Sequence, residues 1–202
     1  GSAYSATCCW ATKLDGNYPY DAFCNLISPP ISLLEGEYYL TVKMWFSIED
    51  AYDCGWVEIS TDNGSTWFKV YPISGPSYDI TFWGDDGYTG DSGGWVTAVF
   101  NLTGYGPCTL RVKFVLKSDF MINKPGWYID DVAITSMTYT VGPPCSGAHF
   151  SSIQEAVNSV PSGSTILILS SYSGSCESVV VNNSVKIVGE SRDVVLCSPS
   201  PD

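Results

Sequence analysis

The sequence predicts an all-β chain, and three observations carry that prediction. From about residue 26 apolar and polar residues alternate with period two, while Gly, Pro, Asn and Asp interrupt the alternation at short intervals. No apolar stripe of three helical turns precedes residue 150. The strand runs are Tyr39 to Phe46, Trp56 to Ser60, Trp67 to Val70, Trp95 to Phe100, Leu110 to Leu116 and Trp127 to Ile134. Short strands at such spacing make an antiparallel β-sandwich.

The pattern changes at Val141-Gly142-Pro143-Pro144. Ser151 to Val160 opens on a serine cap, and its apolar residues 153, 156, 157 and 160 fall at helical spacing. One short amphipathic helix is expected there. After the turn at Pro161-Ser162-Gly163 come Thr165 to Leu169, Ser178 to Val181, Val185 to Gly189 and Val194 to Cys197, short β-branched strands that suit parallel coils of a solenoid. A solenoid needs about three repeats to stand alone, so this second region reads as truncated. The expected domains are 1–142 and 143–202, with Gly1-Ser2 read as a cloning scar.

Composition narrows the function. The 202 residues are 45% hydrophobic and 15% charged, which fits a chain that buries a core and excludes disorder. Nine Lys and Arg against 21 Asp and Glu leave a formal net charge of −12, a field that repels phosphate backbones. Nucleic acid is excluded as a partner on that ground. No apolar run reaches the roughly 18 residues of a membrane helix, so no membrane insertion is expected of this stretch. Sixteen of the acids, against seven bases, fall within residues 1–142.

Eight cysteines, at positions 8, 9, 24, 54, 108, 145, 176 and 197, occur without a CxxC pair, and His149 is the one histidine. That spacing disfavours a zinc or iron-sulfur cage and predicts disulfides made in an oxidising compartment. Proximity suggests Cys8 or Cys9 with Cys24, and Cys54 with Cys108. Cys145, Cys176 and Cys197 would take the remaining places. Sequons at Asn63, Asn101 and Asn182 agree with a secreted or cell-surface location.

The stretch Cys9-Trp10-Ala11-Thr12-Lys13-Leu14-Asp15-Gly16-Asn17-Tyr18, then Leu26 to Ile31, Glu49, Tyr52-Asp53, Val57 to Trp67 and Gly126 to Val132, carries a resemblance. In that order the motifs resemble the MAM-like jelly-roll modules appended to immune-inhibitor-A-type metallopeptidases and other secreted proteins. Residues 149–197 resemble the entry coil of a pectin-lyase-like right-handed parallel β-helix. The resemblance implies an antiparallel jelly-roll β-sandwich followed by a truncated right-handed parallel β-helix fragment with one short capping helix. It also implies a module without catalysis that holds structural calcium; it names no ligand.

Several constellations compete with plainer readings. Asp130-Asp131 stands inside an apolar strand whose neighbouring residues face opposite sides, so one carboxylate meets the packed layer or its rim. Either calcium or backbone N–H, Lys or Arg partners would answer that charge, and the candidate co-ligands are Asp15, Glu49 and Asp53. Ser60-x-Asp62-x-Gly64-x-Thr66-Trp67 matches an Asp-box hairpin, but a propeller needs several copies, so one copy reads as a structural turn. Gly90-Asp91-Ser92-Gly93-Gly94 copies a serine-protease loop without an upstream histidine, so it reads as a glycine-rich connection. His149 sits before a helix cap with no nucleophile pattern nearby, so it reads as a surface histidine. The loop residues Tyr78, Trp83, Asp85, Asp86 and Tyr88 could stack on a sugar and accept its hydroxyl protons, or simply pack.

The expected function is a non-catalytic extracellular module for adhesion or for glycan or protein recognition, with calcium as structural cofactor. A second reading is an accessory region of a secreted hydrolase whose catalytic residues lie elsewhere. A third is a structural subunit that self-associates through open β-helix edges.

Overall fold

The computed structural model describes residues 3–5, 8–34, 36–161, 164–173 and 177–191. Among them the elements in chain order are β1 (Trp10–Ala11), β2 (Phe23–Ile27), β3 (Ile31–Leu33), β4 (Tyr38–Ser47), β5 (Cys54–Ser60), β6 (Phe68–Val70), β7 (Pro72–Ser74), β8 (Asp79–Ile80), β9 (Asp86–Gly87), β10 (Val96–Asn101), β11 (Cys108–Lys117), β12 (Gly126–Ser136), β13 (Thr138–Val141), α1 (Ile153–Ser159), β14 (Thr165–Ile168) and β15 (Lys186–Gly189). The expected all-β class with one short helix is what the chain adopts.

The elements form two compact units, one of residues 1–35 and 39–135 and the other of 36–38 and 136–202. The boundary near 135/136 falls earlier than the expected 142/143. The reason is that β13 pairs in parallel with β14, so its four residues belong to the second unit.

In the first unit one sheet runs β1-β12-β4-β10-β7 and the other β2-β11-β5-β6, with β3 also on β11. Strand β4 shows the alternation that drives this: Leu40, Val42, Met44 and Phe46 are buried while the residues between them are half-exposed. The two sheets face each other, since Trp127 of β12 meets Phe114 of β11 edge-on at 5.8 Å between ring centroids. Strand β5 is buried on both faces except at Glu58. Its outer face is covered because Tyr78 packs on Cys54, Trp56 and Val115.

The connection from β9 to β10 runs from one sheet to the other. Gly55 and Tyr88 exchange backbone hydrogen bonds of 2.9 and 2.6 Å, and the Ser92 amide then donates to the Phe46 carbonyl at 2.9 Å. This route holds both sheets and carries the Gly90 to Gly94 loop, which is the structural connection the plain reading expects.

In the second unit β13, β14 and β15 form a parallel sheet, with Tyr139 opposite Ile166 and Ile166 opposite Ile187. Helix α1 covers it with Ile153, Ala156 and Val157, which join Val141, Val160, Ile166 and Ile168 in one core. Ser152 caps the helix by accepting from the Glu155 amide at 3.1 Å, as the capping pattern predicts. A second cap comes from far along the chain: a Glu177 carboxylate oxygen accepts from the Ile153 and Gln154 amides at 3.0 and 3.2 Å.

The expected strand at 178–181 is absent. The Gln154 side chain takes both backbone groups of Val180, accepting from its amide at 2.7 Å and donating to its carbonyl at 3.2 Å. Val194 to Cys197 lies outside the described residues.

One expected disulfide pairing is corrected by the strand register. Cys9, Cys24, Cys54, Cys108 and Cys145 are free thiols; Cys176 and Cys197 lie outside the described residues. The proposed Cys54–Cys108 bridge is excluded by register, because Cys54 lies opposite Lys117 and Cys108 opposite Leu33, at the two ends of β11. At about 3.3 Å per residue that separation is some 30 Å, against the roughly 7 Å limit for bridged Cα atoms. Burial raises the Cys54 thiol to about 12, which keeps it unreactive while the chain is folded. Alkylation under denaturing conditions without prior reduction should label Cys24, Cys54 and Cys108 fully, as read by peptide mass mapping. An unlabelled Cys54 would contradict the structure.

Candidate functional site

One loop cluster in the first unit gathers carboxylates. The turn after β4 has Ala51 at a φ of 62°, and the Asp53 amide closes it by donating to the Glu49 carbonyl at 3.2 Å. Tyr18, fully buried, donates its hydroxyl to Asp53 Oδ2 at 2.6 Å and accepts from the Glu49 amide at 3.0 Å. From the loop after β11, the Asp119 amide donates to Asp53 Oδ1 at 2.7 Å. Carboxylate oxygens of Glu49, Asp53 and Asp119 thus come within 4.8 Å of one another, with Glu49 only 8% and Asp53 0% exposed. Among the described residues no other trio of acidic, histidine or cysteine side chains does so.

The electrostatics of this cluster are unbalanced. Glu49 Oε2 is buried with no hydrogen-bond partner. Burial, then the charges of Asp53 and Asp119, raises the Glu49 carboxyl above its ordinary range, with the Ile122 amide and Lys124 opposing. Asp53 is also raised, by burial first, against the Tyr18 and Asp119 hydrogen bonds that lower it. Burial first, and the Asp53 hydrogen bond second, hold the Tyr18 hydroxyl protonated well above the ordinary phenol range. Three converging carboxylates with an unpaired buried oxygen are the donor set a hard divalent cation takes.

The cluster contains Glu49 and Asp53 of the expected metal residues, adds Asp119, and leaves out Asp15, Asp130 and Asp131. Asp15 is exposed. Asp130 is buried, but Oδ2 accepts from the Tyr4 and Ser5 amides at 2.9 and 3.0 Å and Oδ1 from the Asp131 amide at 2.8 Å. These backbone bonds, led by that of Ser5, lower its carboxyl, so its charge is met without metal. Asp131 faces solvent and accepts from the Ser5 hydroxyl at 2.5 Å. Asp119 escaped sequence reading because it lies in a loop without periodicity, 66 residues from Asp53.

The five proposed ligand-binding residues do not form one open surface. Tyr88 is 1% exposed, stacked on Phe46 at 5.4 Å and edge-on to Trp127 at 5.7 Å, so it belongs to the core. Tyr78 is half-buried against Tyr88, its hydroxyl accepting from the Val57 amide at 2.8 Å. Asp85 pairs with Lys117 and Asp86 with Lys69, each at 2.5 Å, fastening the segment to β11 and β6. Only Trp83 stays open, at 56%, beside Phe82.

Two other motifs resolve as structural. Asp62 accepts from the Ser65 and Thr66 amides at 2.9 Å each and from the Ser60 and Thr66 hydroxyls at 2.7 Å each, while Asn63 and Gly64 take the positive φ of the turn. His149 Nδ1 accepts from the Thr140 amide at 3.1 Å, which locks the ring to β13. The Asp62 hydrogen bonds, led by the Thr66 amide, hold its carboxyl well below the usual range. Its contribution to stability is therefore present above about pH 4 and lost as pH falls through its depressed value. Asp62→Asn should lower the melting temperature at pH 7 and narrow the loss on acidification; an unchanged melt at both pH values would contradict this.

No family model matches the chain. Over 127 residues, 62% of its length, the chain is 32% identical to Bacillopeptidase F of Bacillus subtilis (strain 168). The matched stretch is 8% of that protein, so the chain spans a small part of its relative's length. This fits an accessory region of a larger protein, the second of the readings drawn from sequence.

Proposed function

We propose that the chain is a non-catalytic accessory module of a larger extracellular peptidase, its jelly-roll loops fixed by calcium at Glu49, Asp53 and Asp119. The similarity to a small segment of Bacillopeptidase F carries the first half of this reading. Buried Glu49 Oε2, without a partner, carries the second.

The residues that would hold the ion are the three carboxylates, with Tyr18 orienting Asp53 through its hydroxyl. The role of the ion is mechanical. It would tie the turn after β4 to the loop after β11, which hydrogen bonds of Asp53 and Glu49 already join. Recognition of a glycan is not the favoured reading, because Tyr88 and Tyr78 serve the packing and Asp85 and Asp86 are spent on lysines. The MAM-like resemblance agrees with a spacer or docking module on a hydrolase.

The chain alone should not degrade casein, with or without added calcium. A casein-degrading activity that co-purifies with the chain and resists inhibitors of contaminating proteases would overturn the accessory reading.

A further inference from the structure

Residues 3–5 lie as a strap across the outer face of the β1-β12-β4-β10-β7 sheet. Side-chain alternation defines that face. Leu40, Val42, Met44 and Phe46 of β4 turn inward, so Lys43 between them turns outward. In β12 Trp127 turns inward onto Phe114 of the other sheet, so Tyr128 and Asp130 turn outward, and the Tyr128 ring meets Trp45 at 5.3 Å. Asp130 is nonetheless only 6% exposed, because the strap closes over it.

Four groups on this face read the strap, and between them they take its backbone, its hydroxyl and its ring. Asp130 Oδ2 accepts from the consecutive Tyr4 and Ser5 amides at 2.9 and 3.0 Å, and Asp131 accepts from the Ser5 hydroxyl at 2.5 Å. The Lys43 ammonium stands 4.6 Å from the Tyr4 ring centroid, and the Trp95 ring lies 5.8 Å from it. Adjacent residues of a regular strand face opposite sides, so two neighbouring carboxylates address one strap only where the backbone turns. Asp131 supplies that turn: its φ is 41°, in the left-handed region that a non-glycine residue rarely takes. The hold is partial, since Tyr4 remains 48% exposed.

We propose that Asp130, Asp131, Lys43 and Trp95 form a peptide-docking site that Tyr4-Ser5 fills in cis, and that it takes an extended peptide from another chain when the strap lifts. The segment seated there states the chemistry of the partner. Its aromatic residue goes to Lys43 and Trp95, a serine or threonine follows for Asp131, and two successive amides bind Asp130, so proline is excluded at the second position. An acidic peptide is opposed by the two carboxylates and by the chain's net charge of −12. A tethered strap competes at an effective concentration of the order of millimolar, so a free peptide meets an open site in only a fraction of intact chains. The site is separate from the carboxylate cluster and depends neither on calcium nor on the peptidase reading.

The test titrates acetyl-Ala-Tyr-Ser-amide into the isotope-labelled chain and into its Tyr4→Ala/Ser5→Pro variant, whose strap lacks the ring and one of the two amides. In the variant the Asp131 amide and Trp95 indole resonances should shift saturably, with an affinity about tenfold or more above that of the intact chain. Acetyl-Ala-Ala-Ser-amide should bind about tenfold more weakly than the tyrosine peptide. Ser5→Pro alone, which leaves every sheet residue in place, should show the same gain in smaller measure while keeping the circular dichroism spectrum of the intact chain. Equal affinities of the intact and variant chains for the tyrosine peptide would overturn the strap as its competitor. Equal affinities for the two peptides would overturn the ring site at Lys43 and Trp95. A folded Ser5→Pro chain with no saturable response to the tyrosine peptide would overturn the proposal entirely.

Discussion

Chelation with EGTA should lower the melting temperature of the chain by about 5–10 °C relative to millimolar calcium, and Glu49→Gln should lose that response. The size follows from linkage: an ion at 100 times its dissociation constant that binds only the folded form adds about 2.7 kcal/mol, and 1 kcal/mol moves the transition of a domain this size by about 2–4 °C. The variant separates a metal site from a merely buried acid. Without calcium, Glu49 is held among Asp53 and Asp119 with Oε2 unpaired, so replacing it with a neutral amide should raise the metal-free melting temperature while removing the calcium effect. The pH dependence has a definite sign. Glu49 and Asp53 titrate higher in the folded than in the unfolded chain, so the metal-free form is most favoured below about pH 4 and loses stability as pH rises through their folded values. Calcium replaces those protons, and the gap between calcium and EGTA should widen from pH 5 to pH 7.5. Superimposable melts in calcium, in EGTA and in Glu49→Gln would sink the site.

What the sequence discloses here is set by whether a residue's partner is local. The β4 alternation is legible because each buried residue repeats every second position, and α1 is legible because its serine cap and apolar stripe lie within ten residues. Asp130 is misleading for the opposite reason. An acid inside an apolar strand is conspicuous, but the groups that satisfy it are the backbone amides of Tyr4 and Ser5, which belong to no side-chain pattern. Tyr88 sits in a stretch of glycine and aspartate that reads as an open loop. It is buried because that stretch pairs with Gly55 and carries the ring inward onto Phe46. The even cysteine count is equally uninformative about geometry: only the register of β11 reveals that Cys54 and Cys108 stand at opposite ends of one strand.

Gly55→Ala should destabilise the first unit by about 1–3 kcal/mol, seen as a fall of several degrees in the melting temperature. Alanine ordinarily gains a few tenths to 1 kcal/mol over glycine by restricting the unfolded chain, so the expected sign must come from packing. The packing is specific. An added methyl would meet Trp127 Cε3 at 2.6 Å, and the indole cannot retreat because Tyr88 and Phe114 hold it at 5.7 and 5.8 Å. Gly94→Ala is the control, since no atom lies within 4 Å of the position its Cβ would take, and it should change stability by less than about 0.5 kcal/mol. A double-mutant cycle then locates the cause. Trp127→Leu alone removes buried ring and should be costly, of the order of 2–4 kcal/mol, but in that background the space beside residue 55 is open and Gly55→Ala should become neutral or stabilising. A coupling of about 1–3 kcal/mol of that sign identifies the Gly55–Trp127 contact as the reason β5 carries glycine in a buried strand. Strict additivity would instead assign the cost to the backbone of β5 and contradict the packing account.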